Sequence, residues 1–164
     1  MTELTVERAK ELLNYDPETG VITWRVTTNS RAMAGSRAGC KHCAGYVQIH
    51  IDGRKYLAHR LAWLIIHGEW PLEHIDHING IRNDNRKINL REASRAINMQ
   101  NQRRPMAGNT SGFLGVSWFV RDKVFAAQIW IQGKKKHIGF FNDPSEAHQA
   151  YLAEKRKLHP GCTI

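Results

Sequence analysis

Apolar residues along this chain recur in short runs whose period alternates between helix-like and strand-like spacing. Near the start, Val6, Ala9, Leu12 and Leu13 fall on one face of a helix that Thr5 can cap, with Glu7 in its first turn. Asp16-Pro17-Glu18-Thr19-Gly20 is turn chemistry, and Val21-Ile22-Thr23-Trp24 reads as a strand. Residues 25–45 are weakly patterned, rich in Gly, Ala and basic residues, and predict loop. Residues 46–51 alternate, with Val47, Ile49 and Ile51 on one side, and Asp52-Gly53 supplies a two-residue turn into Arg54-Lys55-Tyr56-Leu57. Residues 59–67 predict a helix with Leu61, Leu64 and Ile65 inward and Gly68 as its stop. Ile75-Asp76-His77 predicts a short strand, Asn79-Gly80 a turn, and Ile88-Asn89-Leu90-Arg91 the returning strand. Ser94 can cap a further helix that places Asn98 and Asn101, three apart, on one face.

The pattern then breaks. Residues 102–112 are polar, basic and rich in Gly, Pro and Asn, which reads as a linker centred on 105–112. Three strand-like runs follow, at 113–120, 124–132 and 135–141. Asp143-Pro144-Ser145-Glu146 starts a last helix, with an N-cap, a proline at the first helical position and a reciprocal Glu. Ala147, Ala150 and Tyr151 give that helix a small-residue face suited to a sheet. In the middle strand Phe125, Ala127, Ile129 and Ile131 would face the helix, and Gln128, Trp130 and Gln132 the outside. The chain is therefore read as α+β: an α+β extension over 1–56 packing on a core at 57–104, a linker at 105–112, and a sheet-and-helix module at 113–164.

Charge narrows the partners. The 164 residues carry a net charge of +9 with a pI near 9.8, which attracts a polyanion with strong salt dependence. The excess is spread, about +2 before Leu57, +3 from there to Pro105 and +4 beyond, so more than one module is expected to touch the same polyanion. Arg82, Arg86, Arg91 and Arg95 are placed to clamp phosphates. Arg121, Lys123, Lys134, Lys135 and His137 lie beside the outer face of the last sheet, with Gln128 and Trp130 on it, and would meet phosphates or bases. The Lys134-Lys135-Lys136 run is expected in a hairpin turn. No apolar run approaches membrane-spanning length, and Met1-Thr2-Glu3-Leu4 lacks a basic region followed by an apolar one, so a cytoplasmic protein is expected. Cys40-Lys41-His42-Cys43 has zinc-ligand spacing that His50 or His59 would complete, but no second Cys-x-x-Cys follows. Reduced structural thiols are expected at Cys40, Cys43 and Cys162, and zinc is not.

The chemistry concentrates at His74-Ile75-Asp76-His77, followed by Asn89 and Asn98. Asp76 offers a carboxylate and Asn98 a carboxamide oxygen, the hard donors that Mg2+ favours. His77 faces the other way on a strand and can act as general base toward a water. Asn89 can brace the hairpin through backbone hydrogen bonds. His59, at the start of an apolar helix, is expected as a hydrogen-bonded core histidine, and His74 and Asn101 as secondary candidates.

These residues are where the chain resembles the HNH nuclease family with its ββα-metal core. The likeness runs from His59-Arg60-Leu61-Ala62-Trp63 through Asn79-Gly80, Asn83-Asp84-Asn85-Arg86 and Asn89-Leu90-Arg91 to Asn98-Met99-Gln100-Asn101, and looks like the phage subgroup of free-standing and intron-encoded homing endonucleases. Asn98 stands where many members carry a last His. The resemblance then implies Mg2+ or Mn2+ at Asp76 and Asn98, His77 as base, Asn89 as the structural middle residue, and nicking activity leaving 5'-phosphate and 3'-hydroxyl ends. From Ser111 to His159 the chain resembles AP2/ERF-type DNA-binding domains, through Gly115-Val116, Phe125-Ala126-Ala127-Gln128-Ile129, Ile138-Gly139-Phe140-Phe141 and Glu146-Ala147. Leu114, Ser117, Phe119 and Trp130 stand where arginines commonly read bases, so no target sequence carries over. Together the two likenesses imply a monomeric phage homing endonuclease acting on double-stranded DNA in the bacterial host cytoplasm. The alternative is a non-catalytic AP2-like regulator on a nuclease-like scaffold, which would have no need of Asp76, His77 and Asn98.

Overall fold

The structure, a computed structural model, describes residues 3–164. Met1 and Thr2, half of the start read as lacking a secretory pattern, lie outside the described residues. Two compact units form, one ending at Ser94 and one spanning Arg95–Ile164. The polar stretch 105–112 is turn and coil inside the second. The elements are α-helical and β-stranded, and every sheet is small and antiparallel.

In the first unit, α1 (Val6–Leu12) is capped by the Thr5 hydroxyl, which accepts from the Arg8 amide. Leu13, expected on the helix, instead opens β1 (Leu13–Tyr15), which pairs with β2 (Ile22–Trp24) around the 16–20 turn. Both conformations bury Leu13, so hydropathy alone could not place the helix end. A short β3 (Cys40–Lys41) lies in the segment expected as loop and pairs with β4 (Val47–Ile51), which turns at Asp52-Gly53 into β5 (Arg54–Leu57). Cys40, Cys43 and Cys162 carry no disulfide. The helix α2 (Ala58–His67) buries Leu61 and Leu64 against Leu12, Leu13, Trp24, Ile49 and Ile51. Its Ala62 turns the other way, onto Ile75 and Leu90 of the hairpin formed by β6 (His74–His77) and β7 (Leu90–Ala93). One helix thus fixes the hairpin to the main core.

Ile88 and Asn89 were expected in the returning strand. They lie in a 3-10 turn over Lys87–Asn89, and Ile88 is 83% exposed. The strand begins two residues later than expected, at Leu90, whose side chain is buried.

The second unit opens with α3 (Arg95–Gln100), then builds an antiparallel sheet from β8 (Val116–Phe119), β9 (Val124–Ile131) and β10 (Lys134–Phe141), with β9 central. The lysine run belongs to β10 rather than to the turn. The turn is Gln132-Gly133, with φ of 50° and 76°, the left-handed pair that matches strand twist in a two-residue hairpin. The helix α4 (Pro144–Leu158) starts where Asp143 accepts from the Ser145 and Glu146 amides. Its Ala147 and Tyr151 pack on Val116, Ala127 and Ile129, with Phe125 and Ile131 beside them. Gly115 lets the sheet approach this closely, since a Cβ there would come 2.1 Å from the Tyr151 ring.

Candidate active site and nucleic-acid face

The hairpin register decides what Asp76 and His77 meet. Asp76 lies opposite Arg91 across the two strands, so the side chains share a face, and Arg91 Nη2 and Nε donate to Asp76 Oδ2 at 2.8 and 3.0 Å. Asp76 is buried, and this guanidinium offsets the charge of a carboxylate taken out of water. His77, one residue on, turns into a nest of rings. Its centroid is 5.1 Å from His59, edge to face, and 6.0 Å from Tyr46, which itself lies 5.1 Å from His59.

His77 Nε2 is 3.1 Å from the Asn85 carboxamide oxygen, both residues buried. That oxygen can only accept, so Nε2 carries the proton and the neutral ring has its lone pair on Nδ1. Burial pushes the His77 pKa below the ordinary imidazole value, against the Asn85 hydrogen bond and the Asp76 and Asp84 carboxylates. Asn85 is itself held. Tyr15 Oη donates to its carbonyl at 2.8 Å, and Gly20 abuts the backbone at 85–86, where a Cβ would come 2.4 Å from the Arg86 nitrogen. Burial, with Asp16, Asp84 and Glu18 nearby, pushes the Tyr15 phenol up to about 12, which keeps it a donor. The 16–20 turn thus backs the loop that orients His77. Asn85, Tyr15 and Tyr46 were not singled out from the sequence. Asn85 stands in the polar run Asn83-Asp84-Asn85-Arg86, whose only signal in the sequence was the family likeness.

The loop 78–89 is cross-braced by polar side chains. Asn89 Oδ1 accepts from the Asn79 amide at 2.8 Å, and Asn89 Nδ2 donates to the Asp84 carbonyl at 2.7 Å. Asp84 accepts from Asn79 Nδ2 at 2.6 Å and from Arg86 Nη2 and Nε at 2.6 and 2.8 Å, and Arg86 chiefly holds its carboxyl down to about 2. Arg82 donates to the Ala44 carbonyl at 2.8 Å and lies over the Tyr46 ring. Arg86 and Arg91 are therefore engaged by carboxylates, and a phosphate contact would share a guanidinium with Asp84 or Asp76. His59 is buried as expected, but its Nδ1 has no hydrogen-bond partner among the described residues. His74 is exposed at the strand start.

Asn98 is exposed on α3, in the second unit. Asn101 falls just past that helix and is buried, accepting from Thr163 Oγ1 at 2.5 Å. Elsewhere in this unit the outer sheet face carries Gln128 opposite His137 and Trp130 opposite Lys135. Trp130 is 62% exposed, and Gln128 Nε2 donates to Ser117 Oγ at 3.0 Å. His137 packs on Phe140, Phe140 on Phe119, and Arg121 lies over Phe119 while paired to Asp122. Lys123 is exposed in the β8–β9 turn at φ 52°. The face is thus basic and aromatic together. Lys134, expected beside this face, lies opposite the helix-facing Ile131, and Lys136 lies opposite Ile129 and is paired to Glu154 of α4 at 2.9 Å, so strand alternation turns both to the other side.

The family model of the HNH endonucleases matches residues 56–100, from Tyr56 in β5 through α2 and the hairpin to the end of α3. This segment holds Asp76, His77, Asn89 and Asn98 and supports a nuclease that binds nucleic acid. No curated protein and no solved structure matches the chain. No helix among the described residues is long and apolar enough to cross a membrane.

Proposed function

We propose that this chain is a metal-dependent DNA endonuclease of HNH type that hydrolyses a phosphodiester to 5'-phosphate and 3'-hydroxyl ends. The observation that carries this reading is a buried, neutral His77 with its tautomer fixed by Asn85, next in sequence to a carboxylate held by Arg91, within the segment the family matches. Among the described residues no three His, Cys, Asp or Glu side chains cluster. A hard divalent ion that keeps most of its shell as water and phosphate oxygen needs only one or two protein oxygens, and Asp76 and Asn98 are the donors of that kind. They fit Mg2+ or Mn2+ better than zinc. When bound, such an ion would neutralise the scissile phosphate and the leaving 3' oxygen.

The protein's own part is positional. His77 Nδ1 takes the proton of the attacking water, Asn85 keeps the ring from rotating, and Arg91 keeps the Asp76 carboxylate in one orientation. Asn89 holds the loop between the strands in register and contacts no reacting atom. The outer sheet face of the second unit, with Trp130, Gln128, Lys135 and His137, would lie on double-stranded DNA in the manner of AP2/ERF domains and supply the address, with Lys134 at the hairpin end beside it. Lys123 and Arg121 border that face. A single catalytic histidine per chain favours a nick by a monomer, and the resemblance to phage homing endonucleases gives the role, in the host cytoplasm.

Supercoiled plasmid incubated with the protein and Mg2+ is expected to relax through a nick, and neither chelator nor His77→Ala should allow it. The variant is expected to lose about 10²–10⁴ in rate while still binding DNA. Binding without cleavage in any divalent metal would instead identify the non-catalytic regulator.

A further inference from the structure

Helix α3 is too short to hold itself. It has six residues, none of them buried, well below the length at which a helix is stable alone. Its hold within the second unit comes from about sixty residues further along the chain. The Gly161 amide donates to Gln100 Oε1 at 3.0 Å, and Gly161 lies so close to Ile97 that a Cβ there would come 2.6 Å from the Ile97 carbonyl oxygen. Thr163 Oγ1 donates to Asn101 Oδ1 at 2.5 Å, and Arg103 Nη2 donates back to Thr163 Oγ1 and its carbonyl at 2.7 and 3.0 Å. Lys155 of α4, 1% exposed, sends Nζ to the Gln102 carbonyl at 2.6 Å, just past the helix end. Burying an ammonium is costly, and a core position on α4 would ordinarily be apolar. Here it caps the backbone leaving α3. At its other end the strap is tied to the sheet, since His159 Nε2 lies 2.8 Å from the Trp130 carbonyl of β9.

We propose that segment 159–164, together with Lys155, is a positioning strap for α3, and that through it the sheet-and-helix module sets the placement of Asn98. Asn98 sits on an exposed helix face, so its oxygen is placed only as well as the helix is. The inference rests on the reading of Asn98 as a metal ligand.

Thr163 is exposed, so Thr163→Val removes its hydroxyl without opening the core, and Thr163→Ser restores it. In the full-length protein, Thr163→Val and Gly161→Ala are expected to raise the Mg2+ concentration for half-maximal plasmid cleavage by about tenfold, the loss typical of outer-shell partners. Thr163→Ser should match the parent, and binding of all three to a fixed duplex in chelator should be unchanged. Hydrogen exchange of the amides at 97–103 should quicken in the Val and Ala variants alone. Unchanged exchange there together with an unchanged Mg2+ requirement overturns the strap. Loss of duplex binding in chelator by Thr163→Val also overturns it, because the residue would then serve the module's fold at large. Asn98→Ala separates the two readings: if it leaves the Mg2+ requirement intact the ligand assignment fails, and exchange at 97–103 still decides the strap.

Discussion

His59 and His77 touch edge to face, yet they are held neutral by different surroundings. His77 has Asn85 and two carboxylates working against its burial, whereas His59 has only unfavourable neighbours, and burial, His77 and Arg60 together push it to about 3. The Tyr46 ring packs beside His59, tilted, with its centroid 5.1 Å away. The folded pKa of His59 lies below its unfolded value near 6.5, so between the two the unfolded chain binds more protons. The stabilisation is complete above about pH 7 and is lost as pH falls from there toward 3. On that account the step from pH 7 to pH 5 should cost about 2 kcal/mol. Urea titrations at both pH values would show it as a drop in the parent that His59→Gln largely lacks, and equal pH sensitivity in both proteins would disprove it. At this scale much was legible. Asp76 and His77 fall on the buried hairpin strand that the alternation predicts, and Asn89 braces the loop through the backbone hydrogen bonds expected of it. Asn85 was not legible, because its worth lies in a contact across a loop that no periodicity encodes.

Between elements the legible features are those written in apolar periodicity. The α2 face, the alternation of β4 and β9 and the Asp143 cap all appear where hydropathy and capping chemistry put them. The failure at Ile88 has a physical cause. Ile88-Asn89-Leu90-Arg91 alternates like a strand, but the chain there is governed by carboxamides and carboxylates that satisfy backbone groups, and Ile88 is left in solvent. Asn89 is the key of that arrangement. Its replacement by Ala would strand the Asn79 amide and the Asp84 carbonyl, both part-buried, each at about 1–3 kcal/mol. Asn89→Ala is therefore expected to lose about 2–4 kcal/mol by chemical denaturation. Ile88→Ala, by contrast, should be nearly neutral. A costly Ile88→Ala with a silent Asn89→Ala would show that the returning strand starts earlier than the structure has it.

Across the whole molecule, charge is less evenly shared than a walk along the sequence implies. Divided at Ser94, the first unit has thirteen Lys and Arg against eleven Asp and Glu, and the second has eleven against four. The sequence hid this because α3 and the residues after it join the second unit through contacts with 155–163, a partner no linker composition reveals. Within that unit the lysines are not equivalent. Lys136 and Lys157 are paired to Glu154 and Lys155 is buried, whereas Lys134 and Lys135 are exposed and have no ion-pair partner among the described residues. Each phosphate neutralised by a lysine releases about 0.9 of a counterion from B-DNA. If the outer sheet face lies on the duplex, Lys135→Ala should lower the slope of log affinity against log salt by about 1, because Lys135 lies opposite the outward Trp130. Lys136→Ala should barely change it, since that ammonium faces α4 and already has its counter-charge. Duplex binding in chelator across a salt series measures both. A slope unchanged by Lys135→Ala, or lowered as much by Lys136→Ala, would move the DNA to another face of the unit.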